Sequence, residues 1–359
     1  MKTKTIVQSI GIDVSQKELV CSFARKNELG EIEIIAHKTF INSEKGFKEL
    51  VKWKKKLKEE KIIVRFVMEV TGVYHEKTAL FLHTNGYDVA LVLPNKAMHF
   101  QKTLDIKTIT DKTSANALAQ MGIEKQLAKW EPPLPVYNLL KQLSRERNQL
   151  VEERTVIKNQ IHAENAGAWP NKGSITRMNK RVVFVNNQIK EIEKEMQQVV
   201  NTTDELKRKL KFACSIPGVA FITAITVIAE TNGFHLIKNK RQLVSYAGMD
   251  VILKDSGTSV RSKPRISKRG NKYLRKAVHL PALSAIRHDR KMKNVFVRLV
   301  GKHGIKMKAA VAVQRKVLEM IYTLWNKEEM YDSEFEQKQY DRKNVGQAIE
   351  VPALPKLVQ

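Results

Sequence analysis

The fold of the N-terminal part is decided by the stretch IVQSIGIDVSQKELVCSFAR (residues 6–25). Residues 6–14 and 17–25 are both rich in apolar and β-branched side chains, and polar residues separate them, which predicts two consecutive strands. Three more apolar runs alternate with amphipathic patterns, which favours an α/β fold with a mixed sheet flanked by helices. The later strands are predicted at 31–41, 62–70 and 87–94, and the helices at about 44–60, 75–86 and 111–122.

Three acidic residues stand at the ends of these elements. Asp13 closes the first strand, Glu69 closes the strand at 62–70, and Asp111 begins the helix at 111–122. A carboxylate at the end of an apolar strand is costly to bury unless a cation or a metal faces it. Oxygen ligands of this kind hold Mg²⁺, and two such ions can polarise a phosphate and activate a nucleophile. The pattern therefore favours nuclease-like chemistry with Mg²⁺ as the cofactor.

Two simpler interpretations of these residues stay open. Asp111, taken alone, is better explained as a helix N-cap. The segment IGIDVSQ (10–16) also fits the start of the phosphate loop of sugar kinases and actin-like ATPases. That fold needs a second glycine-rich phosphate segment, and the sequence offers no convincing one.

The charge balance indicates a polyanionic partner. The 359 residues carry 64 Lys and Arg against 37 Asp and Glu, a formal net charge of +27. Nucleic acid is the expected partner, because neutralising its phosphates releases counterions and supplies much of the affinity. A membrane surface is the alternative, but the cations are not confined to one amphipathic helix. The uncharged residues 213–229 include Pro217 and Gly218 and are short for a membrane span, which predicts buried core.

The cysteine content indicates which cellular compartment the protein occupies. Cys21 and Cys214 are too few and too far apart for a disulfide framework or a thiolate zinc site. A chain of this kind fits a reducing cytosol. The N-terminal segment meets Asp13 before a signal-peptide core could form. We therefore expect a cytoplasmic protein.

The middle of the chain predicts two paired helices. EPPLPVYN (131–138) is a proline-rich linker. Apolar residues then recur at heptad spacing within 136–161 and, after the break AGAWPNKGS (166–174), within 182–199. Two such helices joined by a short loop form an antiparallel coiled-coil hairpin, for which we expect helix pairing or dimerisation. Arg147 and Arg154 occupy inward positions and weaken the first helix as an isolated coil.

From about Leu206 the chain is predicted to be helical around a loop-rich centre. CSIPGVAFITAITVIAE (214–230) resembles a helix-hairpin-helix element, in which backbone N–H groups can hold a phosphate. A buried hairpin without a ligand explains this segment equally well. Residues 234–249 predict a helix that ends at Gly248, and the tail from 327 to 359 is expected to be poorly ordered.

The loop DSGTSVRSKPRISKRGNKYLR (255–275) is the most basic segment. Between residues 254 and 276 it holds nine Lys or Arg and a single acid, Asp255. A solvated loop explains it most simply, and a Ser-Gly pair at its start is an unspecific motif. The alternative is a serine nucleophile, Ser256, aimed at a phosphodiester. Serine is a weak nucleophile without a base or a metal. The loop contains no histidine, and the next one along the chain is His279.

Taken together, the motifs resemble the DEDD transposases of bacterial insertion sequences, in the insertion-sequence-110 group that includes the Piv-type DNA invertases. The resemblance runs from about residue 8 to 290. The most specific block is ISKRGNKYLR (266–275) with its upstream Ser-Gly. The resemblance rests on six segments in this order: GIDVSQKE, MEVTGVY, TDKTSANALA, SIPGVAFITA, LVSYAGM and ISKRGNKYLRKAV.

The resemblance implies a domain order and an activity. It implies a RuvC-like (RNase H-like) metal-binding domain at 1–128, a coiled-coil linker at 129–204, a mainly helical transposase domain at 205–326 and a tail at 327–359. The implied enzyme is a DNA recombinase that uses Mg²⁺ and forms a covalent phosphoserine bond with DNA. A noncoding bridge RNA would pair with donor and target DNA, and the protein would assemble as a dimer or a dimer of dimers in the bacterial cytoplasm.

Residue by residue, Asp13, Glu69 and Asp111 match the first three acids of the family and Ser256 matches the nucleophile. The fourth acid is replaced by Ser114, a poorer cation ligand, for which Asp105 could compensate. Ser259 and Ser262 are alternative nucleophiles. The cations expected to bind phosphates are Lys263, Arg265, Lys268, Arg269, Lys272 and Arg275.

Two other functions compete with this one. The first is a junction-resolving nuclease that hydrolyses DNA with water at the same acids. The second is a nucleic-acid-binding scaffold without catalysis, an interpretation that the serine at position 114 keeps open.

Overall fold

The computed structural model describes residues 4–59, 62–70, 72–104, 106–235, 237–253, 255–256, 260–261 and 264–335, with backbone alone for 255, 256, 260 and 261. The chain divides between Pro132 and Pro133 into two compact units. Each unit has its own hydrophobic core.

The first unit is built on a five-stranded mixed sheet. Its strands are β1 (Thr5–Val14), β2 (Glu18–Asn27), β3 (Ile32–Ile41), β4 (Val64–Glu69) and β5 (Asp88–Val92). They lie in the order β3-β2-β1-β4-β5. The first three strands form an antiparallel meander, whereas β4 runs parallel to β1 and β5 runs parallel to β4. The mixed α/β sheet expected from the sequence is confirmed.

Helices cover both faces of this sheet. They are α1 (Glu44–Leu57), α2 (His75–Thr84), α3 (Pro94–Lys102) and α4 (Asp111–Glu124). Phe47 of α1 and Leu82 of α2 pack with Ile10 and Phe66 on one face. On the other face α3 and α4 pack over β4 and β5. The sequence analysis missed α3, because this short helix buries only Ala97 and Phe100 and has no long periodic pattern.

The backbone of α4 lies directly against β1. A Cβ atom added to Gly11 would lie 2.1 Å from the carbonyl oxygen of Ala115 and 2.3 Å from the nitrogen of Ala119. On the helix side, a Cβ atom on Gly122 would lie 2.1 Å from the Ser9 hydroxyl oxygen. Only glycine fits at these two points, so the pair fixes α4 against the strand and brings its first turn towards the end of β1.

The second unit is mainly helical, as expected. Its helices are α5 (Pro135–Ala166), α6 (Lys172–Asn201), α7 (Asp204–Cys214), α8 (Phe221–Glu230), α9 (Lys240–Tyr246), α10 (Lys272–Ala277), α11 (His279–His288), α12 (Arg290–His303) and α13 (Lys306–Lys327). Among the described residues between α9 and α10 lie four two-residue strands: β6 (Val251–Ile252), β7 (Asp255–Ser256), β8 (Val260–Arg261) and β9 (Arg265–Ile266).

Helices α5 and α6 form an antiparallel hairpin. Two inward-facing arginines of α5 find partners on α6, which explains how the hairpin tolerates them. Arg147 donates to Glu193 at 2.7 Å, and Arg154 donates to Asn186 at 3.0 Å. Ile157 of α5 is buried against α6. Coiled-coil geometry and dimerisation through this hairpin stay predictions.

The segment 213–229 is core, as predicted. Ala213, Ala224 and Ile228 have no exposed surface, and α8 follows the turn at Gly218. Within the described parts of the chain we found no helix with the length and apolar character that crossing a bilayer requires.

The prediction of one helix over 234–249 is wrong. Only Lys240–Tyr246 is helical, because the Asn239 side chain accepts a hydrogen bond from the Gln242 N–H and so starts α9 at that point. Upstream of Asn239, Phe234 takes a positive φ of 64°, which a helix does not allow. The predicted tail lies outside the described residues from 336 onwards.

Candidate active site

The first two acids end neighbouring parallel strands. Ile12 of β1 is paired in register with Met68 of β4, so Asp13 and Glu69 follow that pair directly. Both acids extend the side of the sheet on which Gly11 and Val67 face α3 and α4. In open α/β sheets, the crevice outside the carboxyl ends of the strands is the usual ligand site.

The third acid reaches this edge from the first turn of α4. Thr110, not Asp111, is the N-cap of this helix: its hydroxyl accepts from the Thr113 N–H at 3.2 Å. The Thr113 hydroxyl accepts in turn from the Thr110 N–H at 2.8 Å. The N-cap interpretation of Asp111 is therefore wrong, and its exposed carboxylate is left for another role.

The three carboxylates interact electrostatically. The pKa of Asp13 is raised to about 6, first by burial and then by repulsion from Asp111 and Glu69, while the Val14 N–H opposes the rise. No Lys or Arg of the described chain is among these influences. The fold thus brings Glu69 and Asp111 close enough to the partly buried Asp13 to raise its pKa, and no cationic side chain of the described residues contributes to that shift.

This donor set suits a hard cation in its chemistry, since carboxylate oxygens are the ligands that Mg²⁺ prefers. Within the described ranges, however, no group of three or more His, Cys, Asp or Glu is already gathered closely enough to hold a metal ion. The carboxylates interact through space and would have to draw closer around a cation.

The position of the missing fourth acid borders the same site. Ser114 and Glu69 line one small pocket, together with Gln101. The Gln101 Nε2 atom is buried without a hydrogen-bond partner in the described chain. Ser114 therefore borders the same pocket as Glu69, whereas Asp105 lies outside the described residues.

The candidate nucleophile belongs to the second unit. The backbone of Ser256 in β7 pairs with Val260 in β8, which makes a short antiparallel ladder. The Ser256 side chain, Ser259, Ser262 and Lys263 lie outside the described part of the structure. A second ladder pairs β6 with β9.

Two glycines and one arginine hold the backbone of the block 266–275 against the end of α9. A Cβ atom on Gly270 would lie 2.5 Å from the nitrogen of Gly248, which itself has a φ of +67°. Arg275 Nη1 donates to the carbonyl oxygens of Ala247 at 2.7 Å and Gly270 at 3.1 Å. Arg275 therefore stabilises the loop, a role that the sequence analysis did not assign. Among residues 265–275, the exposed cations are Arg265, Lys268, Arg269 and Lys272.

An ion pair between a buried acid and a partly exposed arginine, which the sequence analysis missed, supports α10. The Glu230 side chain has no exposed surface and accepts from Arg145 Nε at 2.7 Å and Nη2 at 2.9 Å. It also accepts from Asn271 Nδ2 at 2.7 Å. The Asn271 side-chain oxygen Oδ1 caps α10 by accepting from the Tyr273 and Leu274 N–H groups. The available signal was the single acid that ends the apolar run of residues 221–230.

Comparisons with known proteins match both units. Residues 10–164 match the model of IS110-type DEDD transposases, and residues 210–296 match the Transposase IS116/IS110/IS902 family. The chain is 26% identical over 334 residues to the pilin gene-inverting protein of Moraxella bovis, covering 90% of this chain and 97% of that one. It is 29% identical over 147 residues to the transposase for insertion sequence element IS1111A of Coxiella burnetii, covering 40% and 39%.

Among solved structures, Thermus thermophilus RuvC in complex with a Holliday junction substrate is similar to part of the chain. The TM-score is 0.24 at 10% identity, and the match covers 32% of this chain and 90% of RuvC.

Proposed function

This chain belongs to the IS110 family of DEDD transposases and is a DNA recombinase, and we propose that it exchanges strands through a covalent bond between Ser256 and DNA. In this proposal the attack is assisted by Mg²⁺ held at Asp13, Glu69 and Asp111. A bridge RNA encoded beside the gene directs the enzyme to its donor and target DNA.

The observation that carries the proposal is the electrostatic interaction of three acids at one edge of the sheet. Asp13 and Glu69 are placed there by the register of β1 and β4, and Asp111 by the approach of α4 over Gly11. A fold gains nothing in stability from three carboxylates that repel one another, which supports a functional reason for their position.

The carboxylates are the proposed ligands. Asp13, Glu69 and Asp111 would bind through oxygen, and the Ser114 hydroxyl would add a neutral and weaker ligand. When bound, Mg²⁺ supplies positive charge that polarises a phosphate oxygen and favours the deprotonated form of an attacking hydroxyl. The same charge would relieve the repulsion that raises the Asp13 pKa.

The strand-transfer step is balanced at phosphorus. A bond forms between Ser256 Oγ and phosphorus, the hydroxyl proton leaves, and the bond to the departing deoxyribose oxygen breaks and releases a hydroxyl end. Attack by another such hydroxyl reverses the step and frees the serine. Lys263 and the exposed cations Arg265, Lys268, Arg269 and Lys272 would bind neighbouring phosphates, as would the unused N–H groups of Arg275.

The division of labour follows the expected domains. The metal site would belong to residues 1–128, pairing of subunits to the region 129–204, and the nucleophile to 205–326. The long α5–α6 hairpin supports the assignment of the middle region. The net charge of +27 supports binding of both RNA and DNA.

The test is capture of DNA in an adduct that survives denaturant. With Mg²⁺ present, the unaltered protein should form the adduct, and Ser256→Ala should bind DNA but form none. If the adduct is lost only in Ser259→Ala or Ser262→Ala, the nucleophile is reassigned. Strand cleavage without any adduct would favour the water-dependent nuclease, and full binding without cleavage would favour the scaffold.

A further inference from the structure

All charged side chains in the whole of α12 and the first part of α13 are positive. Residues 290–318 contain nine Lys or Arg and no Asp or Glu. None of these cations was among those expected to bind phosphates. By contrast, the α5–α6 hairpin carries acids alongside its cations and pairs several of them.

The connection between the two helices is fully exposed. Gly304 ends α12 in the left-handed conformation, with a φ of +69°, and its N–H donates to the Val300 carbonyl at 2.7 Å. All residues from Gly301 to Lys308, which we call the tip, are exposed. The tip combines three lysines with two apolar side chains, Ile305 at 55% and Met307 at 61% exposure.

The tip continues into a cationic side of α12. Arg290, Lys293 and Arg298 are exposed along this helix, whereas Met292 is buried and Phe296 packs against the core. Within the described ranges, the side chains of these three cations and of the tip residues Lys302, Lys306 and Lys308 have no hydrogen-bond or ion-pair partner. Unpaired like charges on one surface repel one another, so a polyanion that neutralises them would bind there.

The apolar residues narrow the choice of polyanion. Proteins that bind the minor groove of duplex DNA insert Ile, Met or similar wedges between base steps while cations bind the flanking phosphates. A membrane-bound helix needs an apolar face along its length, and that face of α12 already packs on the protein core. The first turn of α13 also has no side-chain cap, so the backbone N–H groups of Lys306 and Met307 are available to a phosphate.

We propose that the tip enters the minor groove of duplex DNA, with Ile305 and Met307 as the wedge and the cations of α12 and α13 on the flanking phosphates. The bound duplex bends away from the wedge. The inference rests on the proposed function in so far as DNA is the substrate, but it concerns residues other than the three acids and the segment 255–275.

The first experiment measures duplex binding by the full chain. The variant Lys302→Gln/Lys306→Gln/Lys308→Gln is compared with Lys45→Gln/Lys52→Gln/Lys55→Gln, which removes the same charge from exposed positions of α1. Over roughly 50 to 200 mM salt, the tip variant should flatten the slope of log affinity against log salt by about 2 to 3, near 0.9 per phosphate contact, and the control should not. An equal change in both variants overturns the proposal.

The second experiment measures bending by energy transfer between dyes at the ends of a duplex of about 30 base pairs. Ile305→Ala/Met307→Ala should keep the salt slope but lose the bend. An unchanged bend overturns the wedge, and a stronger effect of the lysine variant on double-stranded RNA or on anionic vesicles than on DNA overturns the choice of partner. Strand cleavage measured in the same samples separates the two proposals. A bent but uncut duplex refutes the recombinase chemistry and still supports DNA binding by the tip.

Discussion

Asp13 and Asp111, which lie far apart in the sequence, repel each other in the folded protein, and this repulsion adds to burial in raising the pKa of Asp13 to about 6. Their proximity depends on Gly11, over which the backbone of α4 passes without room for a Cβ atom. The candidate metal site is therefore a consequence of close helix–strand packing as much as of the acids themselves.

The first prediction concerns pH. The folded pKa of Asp13 lies above the value of about 3.9 expected in the unfolded chain, so the folded state binds more protons between these values. The stability contributed by the protonated carboxyl should be fully present below about pH 4 and lost as the pH rises through about 6. Denaturant melts without divalent metal should show this loss in the unaltered protein but not in Asp13→Asn.

The second prediction concerns the effect of Asp13 on stability with and without metal. At about pH 7.5 and without metal, Asp13→Asn should stabilise the protein by about 1–2 kcal/mol, less than the full pKa shift implies because solvent reaches the carboxylate. Mg²⁺ should raise the melting temperature of the unaltered protein and leave that of Asp13→Asn unchanged. Equal Mg²⁺ stabilisation of both proteins would place the metal elsewhere.

Restoring the fourth acid is the third prediction. Ser114 borders the pocket that contains Glu69, so Ser114→Asp should add a carboxylate to the site. It should tighten Mg²⁺ binding in calorimetry and lower stability in the absence of metal, because like charges repel. Ser114→Ala is the matched control and should change neither quantity strongly. Weaker Mg²⁺ binding by the aspartate variant would show that position 114 does not face the metal.

The packing of α4 gives a fourth prediction. Gly11→Ala should cost about 3 kcal/mol of stability, because the added methyl group meets backbone atoms that cannot move aside. Gly301→Ala is a control of opposite sign, since nothing surrounds that position and alanine favours a helix by about 0.5–1 kcal/mol. Urea denaturation measures both. A harmless Gly11→Ala would contradict the close approach of helix and strand.

The ion pair between Arg145 and Glu230 gives the fifth prediction. Glu230→Gln should destabilise the second unit by about 2–3 kcal/mol, because Arg145 loses its charged partner. It should also weaken DNA binding, since Asn271, which starts α10, loses an acceptor. The exposed pair of Glu44 and Lys48 is the control, and Glu44→Gln should have no measurable effect on stability.

The strands, and the positions of the three acids at or near the ends of elements, were predictable because apolar runs and the residues that end them are local in sequence. Local patterns failed where two neighbours competed for one role: Thr110 caps α4, so the cap role does not fall to Asp111. They failed again at 234–249, where Asn239 begins a shorter helix.

Hydrogen bonds between residues that are distant in sequence could not be predicted from local patterns. The bonds from Arg145 and Asn271 to Glu230 join three separate helical regions, and nothing in the spacing of these residues connects them. The use of Arg275 to hold the loop was hidden for the same reason, since a cation in a basic block is read first as a phosphate ligand.

The most direct test of the central claim is to map the protein–DNA bond. The protein is mixed with its DNA and Mg²⁺, digested with protease and nuclease, and analysed by mass spectrometry. We predict a nucleotide on the peptide that contains Ser256, attached to that serine and absent when Asp13→Asn is used. Cleaved DNA with no modified peptide, or a nucleotide attached to a residue outside 255–262, would contradict the account.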